Sequence, residues 1–183
     1  MTSAVPGFER YPVASLRPVL PGLLLAVLTL LFGFGLGGVF GLNEDAIKSR
    51  LATSAESARV SVYQGDDAKI KAVLDKSWVY MQRAHLHAGS LGATAVALIV
   101  VVVLLGTGPG ASAAISLALG AGGLGYSVFW LWAGFRAPGL GSTGAAKETL
   151  SWLAIPSSGL VVAATLAVAV LTILALARRR PLA

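Results

Sequence analysis

The sequence holds two histidines, His85 and His87, in the run Arg83-Ala84-His85-Leu86-His87-Ala88-Gly89. Neutral imidazole is a common metal ligand, so the chemistry on offer is a single axial ligand to haem or to copper. On a helix, residues two apart point about 200° away from each other, so the pair cannot chelate one metal and at most one ring faces inward. The alternative role is structural, with both rings as polar groups at a membrane interface, meeting headgroups or loop backbone.

Other reactive chemistry is sparse. With no cysteine, disulfides, thiolate metal sites and Cys nucleophiles are excluded. Nucleophile and base sets, phosphate-cradling glycine loops after strands and paired carboxylates are also missing, which predicts a non-catalytic protein. Glu148 beside Lys147 reads as a solvated pair at a helix start. Fourteen Lys and Arg against eight Asp and Glu give a net charge of +6, but the bases are scattered through loops and the run Arg178-Arg179-Arg180. That distribution suits membrane topology and excludes a nucleic-acid-binding face, which would want interleaved aromatics.

The elements that carry these residues follow from charge gaps. The chain is 56% hydrophobic and only 12% charged, and roughly 20 apolar residues cross a hydrocarbon core about 30 Å thick. Pro18 to Asn43 is uncharged and predicts a first span over 19–42. Ala84 to Phe135 holds no Asp, Glu, Lys or Arg over 52 residues, too long for one span. The turn-forming run Gly106-Thr107-Gly108-Pro109-Gly110 divides it into spans over 87–106 and 111–135. Thr149 to Ala177 gives a fourth, over 150–177. Pro156 complicates that last span. The helix either starts near Lys147 and kinks there, with Ser157 or Ser158 satisfying freed carbonyls, or begins at Pro156 with 144–155 in the interface. The first apolar run is too long for a signal-peptide core and lacks an A-x-A-like site, so it is expected to stay uncleaved.

The segment 43–84 is mixed and charged, and predicts an extramembrane helical loop. Asn43-Glu44-Asp45 reads as one helix start, with a capping Asn and acids in the first turn. Gly65 breaks it, and Asp66-Asp67 starts a second helix expected to run over 66–106, half of it beyond the bilayer. Ile70, Leu74, Trp78, Met81 and His85 recur at spacings of three and four and share one face, offered to the rest of the loop or to a partner. Small residues mark contact faces between helices in lipid. Such faces are expected at Gly33, Gly37 and Gly41 in the first span, at Gly89, Ala93 and Ala97 in the second, and at Ser116 and Gly120 in the third.

A His-x-His pair opening the second of four spans, followed by a small-residue and aliphatic run from Arg83 to Leu105, resembles small four-helix membrane proteins related to haem-copper oxidase subunit I. The resemblance implies haem or copper ligation by His85 or His87. No other helix carries a histidine, so a bis-histidine haem would form between chains, or with another ligand such as Met81.

Four spans put both termini on one side and the long loop with the linker 136–148 on the other. Phe40, Trp78, Tyr80, Phe129, Trp130, Trp132, Phe135 and Trp152 then fall near one interface, as an aromatic belt should. Arg10, Arg17 and Arg178 to Arg180 argue for cytoplasmic termini in a bacterial inner membrane, although the loop side holds more bases in total, nine against five. The expected fold is therefore all-α, a four-transmembrane-helix bundle in a single membrane domain over 1–183. The expected function is an accessory or structural subunit of a larger membrane complex, with lipid and other subunits as partners. Two rivals stand beside it: a haem- or copper-binding redox or metal-handling protein, and a small passive channel. Intramembrane carboxylates or bases of the kind that line ion-coupled pathways are absent, which argues against a pump.

Overall fold

A computed structural model describes residues 16–178. Arg10, Arg179, Arg180 and the side chain of Arg178, which enter the orientation argument, lie outside what it describes. The described chain is all-helical: a short 3-10 turn Arg17–Val19, then α1 Leu20–Ser57, α2 Asp67–Leu104, α3 Pro109–Leu140, the short α4 Thr143–Glu148 and α5 Ser151–Arg178. Four of these, all but α4, are long and apolar enough to cross a membrane. The chain is a multi-pass membrane protein built as a four-helix bundle.

α1 differs from the sequence expectation at Asn43. The chain does not end one helix there and cap another; it continues through a kink, with Asn43 at φ −131°, ψ 23°. The physical reason lies in the direction of the side chain. Asn43 Nδ2 donates back to the Val39 carbonyl at 3.3 Å rather than accepting from amides ahead of it. The kink joins the span to a second half whose apolar residues Ile47, Leu51, Ala55 and Ala58 recur at helical spacing.

The turn after α1 reverses the chain through two consecutive left-handed residues, Gln64 at φ 56° and Gly65 at φ 77°. Asp66 then caps α2, its Oδ1 accepting from the Lys69 amide at 2.9 Å. At 1.5 Å per residue α2 is about 57 Å long, well beyond a hydrocarbon core of about 30 Å. The second half of α1 and the first half of α2 therefore form a helical arm projecting past the bilayer.

α2 ends before Gly106, and Pro109 opens α3 as a first-turn residue whose missing N–H costs nothing there. α3 runs on past 135, through Pro138 to Leu140, and its end reaches the arm. Gly141 closes it with a left-handed φ of 62°. Ser142 caps α4, and α5 starts separately at Ser151. The first reading of Pro156 is met in part: the proline is interior, a turn and a half inside α5, but the helix starts at Ser151 rather than near Lys147. Ser158 Oγ donates to the carbonyls of Ala154 at 2.8 Å and Ile155 at 3.2 Å on that stretch.

α3 is the central helix. It buries 44% of its most apolar stretch inside the protein, whereas α5 buries 11% and rests mainly on α3. Missing side chains permit the closest crossings. A Cβ on Gly22 would collide with the Ser116 backbone, and one on Gly120 with the Gly22 carbonyl, so α1 and α3 meet backbone to backbone. Gly122 and Gly125 seat Ser157 of α5 in the same way.

Candidate functional site

The residues singled out in the sequence divide between packing and surface. Gly33 lies against the Gly89 backbone, where a Cβ would stand 2.9 Å from the Gly89 nitrogen. Gly37 lies against His85, 2.7 Å from a would-be Cβ to Cε1. Ser116 is fully buried at the α1–α3 crossing beside Gly120. Gly41 meets nothing within 4 Å, and Ala93 and Ala97 are exposed. In α2 the buried small residues are Ala84, Ala88, Gly92 and Ala95. The small-residue face is thus turned by one position from the expected one. Small residues at both 88/92 and 89/93 make two faces available, and spacing alone does not choose between them.

The two histidines are separated by the helix, as their spacing requires. His85 points to α1, where its Nδ1 donates to the Gly33 carbonyl at 2.8 Å. In the neutral ring that bond places the proton on Nδ1 and the lone pair on Nε2. His87 instead packs among aromatics of α3, its ring 5.3 Å from Tyr126 and 6.0 Å from Trp130. The two rings do not converge on one point. No group of three metal-ligating side chains occurs among the described residues, and Met81 is fully buried between α1 and α3, against Gly134. The donor set accordingly does not fit a metal held by both histidines.

The aromatic residues pair across helices. Phe40 meets Trp78 at 5.4 Å, Tyr80 meets Trp130 at 4.8 Å, and Trp132 meets Trp152 at 6.2 Å. These contacts join α1 to α2, α2 to α3 and α3 to α5 where the chain passes from apolar to charged composition.

The arm carries a surface feature of its own. Between its two helices opens a groove of about 500 Å³ lined by Lys48, Leu51, Ala52, Leu74, Asp75 and Trp78. Its charged rim is self-organised. Lys48 pairs with Glu44 at 2.5 Å and stands 5.1 Å over the Trp78 ring, while Lys71 pairs with Asp75 at 2.7 Å. Of the stripe expected to meet a partner, Ile70 and Met81 are buried within the chain. Leu74 and Trp78 remain at the groove. The reason is the kinked extension of α1, which covers the stripe from one side; Phe40, Leu51 and Met81 form one buried cluster there.

Three contacts tie the arm's tip together and to α3. Tyr63, buried at the turn, donates its hydroxyl to the Pro138 carbonyl at 2.7 Å and so ties the tip to the end of α3. Burial raises the Tyr63 phenol above its ordinary pKa. Val62 fills the space over Gly141. Arg59 bridges Glu56 at 3.1 Å and Asp67 at 2.5 Å across the turn, and these bonds raise its pKa further. The sequence reading did not single out Tyr63, Leu51 or Ala52. The spacing Ile47-Leu51-Ala55-Ala58 marks Leu51; nothing local marks Ala52 or Tyr63. No protein-family model matches the chain, and no curated protein or solved structure matches it either.

Proposed function

We propose that this protein is a non-catalytic subunit of a larger membrane complex, anchored by its four spans and holding a partner with its projecting arm. The observation that carries this reading is the groove on the arm, where Leu74 and Trp78 stay accessible although the hairpin around them is packed and tied to α3. An apolar floor within a charged rim is the anatomy of a protein–protein contact, and a rigid arm loses little entropy on docking. In this reading both termini are cytoplasmic, in a bacterial inner membrane, and the arm lies outside. Ser61→Cys, at the exposed turn, then labels from outside intact cells with an impermeant maleimide.

The decisive experiment is extraction in mild detergent, followed by a native gel and mass spectrometry. A partner present in fixed stoichiometry, cross-linking through a photoreactive residue at position 74 and lost in Trp78→Ala, supports the proposal. A monodisperse lone monomer overturns it.

The second reading, a haem- or copper-binding protein, is favoured by one observation. His85 donates Nδ1–H to a backbone carbonyl, the arrangement in which a histidine presents Nε2 to a metal. It is restricted to a single ligand from His85. A Soret band or stoichiometric copper in the purified protein, abolished by His85→Ala and kept in His87→Ala, would establish it.

A further inference from the structure

α5 leans on α3 and barely touches the upper part of α2, so a lateral opening remains between α2 and α5 with α3 as its floor. This groove, of about 240 Å³, has apolar walls at Leu91, Val161 and Val162 and carries three polar side chains, His87, Tyr126 and Ser158. It opens toward what the apolar composition of the helices identifies as lipid.

Two bases lie over the aromatic cluster that adjoins it through the Trp130–His87 contact of 6.0 Å. Arg83 is one turn before His87 on α2 and closes the charged segment ahead of the long uncharged stretch. Its guanidinium lies 5.0 Å from the Trp130 ring centre and 5.5 Å from that of Tyr80. Lys147, on α4, brings its Nζ to 6.0 Å from the same Tyr80 ring. Both bases thus share the Tyr80 ring, and Arg83 also reaches Trp130. Neither has a carboxylate partner among the described residues, whose ion pairs are Lys48–Glu44, Arg59 with Glu56 and Asp67, and Lys71–Asp75. Glu148, next to Lys147 in the chain, is exposed and pairs with neither base. The Trp130 indole N–H in this cluster is buried without an acceptor.

Like charges brought together without an acid leave a local positive potential, and at the edge of an apolar stretch the anion at hand is a lipid phosphate. We propose that the α2–α3–α5 groove binds one anionic phospholipid, its phosphate between Arg83 and Lys147 and an acyl chain along Leu91, Val161 and Val162. This site is separate from the arm's groove at Leu74 and Trp78 and from the partner proposed for that groove.

The test uses the full-length protein in a zwitterionic detergent-resistant setting, nanodiscs of phosphatidylcholine doped with phosphatidylglycerol, read by native mass spectrometry of retained lipid. The expected result is one phosphatidylglycerol retained per chain in preference to phosphatidylcholine. Arg83→Gln/Lys147→Gln should weaken that retention about twenty-five-fold, at about a factor of five for each charge. Lys76→Gln, which removes an exposed base from the same helix, should leave it unchanged. Val161→Trp, which fills the groove and keeps both bases, should also abolish it. Inorganic phosphate at millimolar concentration should not compete, because it lacks the chain. Equal retention of phosphatidylcholine, loss of selectivity in Lys76→Gln, displacement by inorganic phosphate, or retention unaffected by Val161→Trp would each overturn the proposal.

Discussion

Single residues decide whether two helices cross or only lie near each other, and the glycines separate into the two cases. Gly120→Val must displace the α1 backbone at Gly22, and overpacking of this kind costs about 1–3 kcal/mol. Gly41→Val adds a side chain to open space and should leave thermal stability in detergent within about 0.5 kcal/mol. Comparing the two melting curves checks the crossing. Tyr63 acts by a different route, through one buried hydroxyl donated over a long sequence separation. Tyr63→Phe should cost about 1 kcal/mol and loosen the tip, seen as faster amide exchange around residue 63. Its pH dependence has a definite sign. The folded phenol titrates above its unfolded value near 10, so its contribution is complete below that pH and is lost as pH rises through the higher folded value. Wild type should therefore lose stability above about pH 10 more steeply than Tyr63→Phe. These residues were unequally legible. Ser116, Gly120 and Gly33 stood out because small side chains at spacings of four announce a close crossing. Tyr63 did not, because its partner, the Pro138 carbonyl, is 75 positions away and no local pattern records it.

At the scale of elements, ends are set by local chemistry and faces by tertiary context. The Asp66 cap illustrates the first. Its carboxylate accepts the Lys69 amide, and Asp66→Ala should destabilise the start of α2 by about 1 kcal/mol, detectable as increased exchange of amides 67–70 with the spans unaffected. Charge gaps placed the four apolar stretches because lipid tolerates few ionisable groups, and the Gly-Pro turn placed the hairpin. Faces proved harder to read. α2 presents one face to α1 through Ile70, Leu74 and Met81, and another to α3 through Tyr80 and Ala84. A periodicity count sees one stripe where the helix buries two. The kink at Asn43 was invisible for a related reason: an Asn before two acids has the composition of a cap whichever way its side chain turns.

For the whole molecule, the question is whether arm and bundle are one cooperative unit. Ala137 from α3 and Ala146 from α4 are buried in the same cluster as Ala55, Tyr63 and Val73 of the arm, so the arm's packing includes the bundle. Thermal unfolding in detergent followed by far-UV circular dichroism and by tryptophan fluorescence should give coincident transitions. Two separated transitions would show that the arm folds as its own domain. That coupling has a use in the proposed function, since load applied at the groove passes to α3, the helix in contact with every other span. The four-span bundle was legible from composition; the arm's attachment was not, because it depends on where α3 stops, and the charge gap that ends at Phe135 gave no sign that the helix continues to Leu140.

α5 touches α3 far more than any other helix. A segment with one principal neighbour can be inserted last without reopening contacts already made. α1, α2 and α3 can close on one another while α5 is still being synthesised, and the glycine seat on α3 waits for Ser157. The order of the helices in the chain thus matches an order of assembly, in which the final segment completes the fold and walls in one side of the lateral opening.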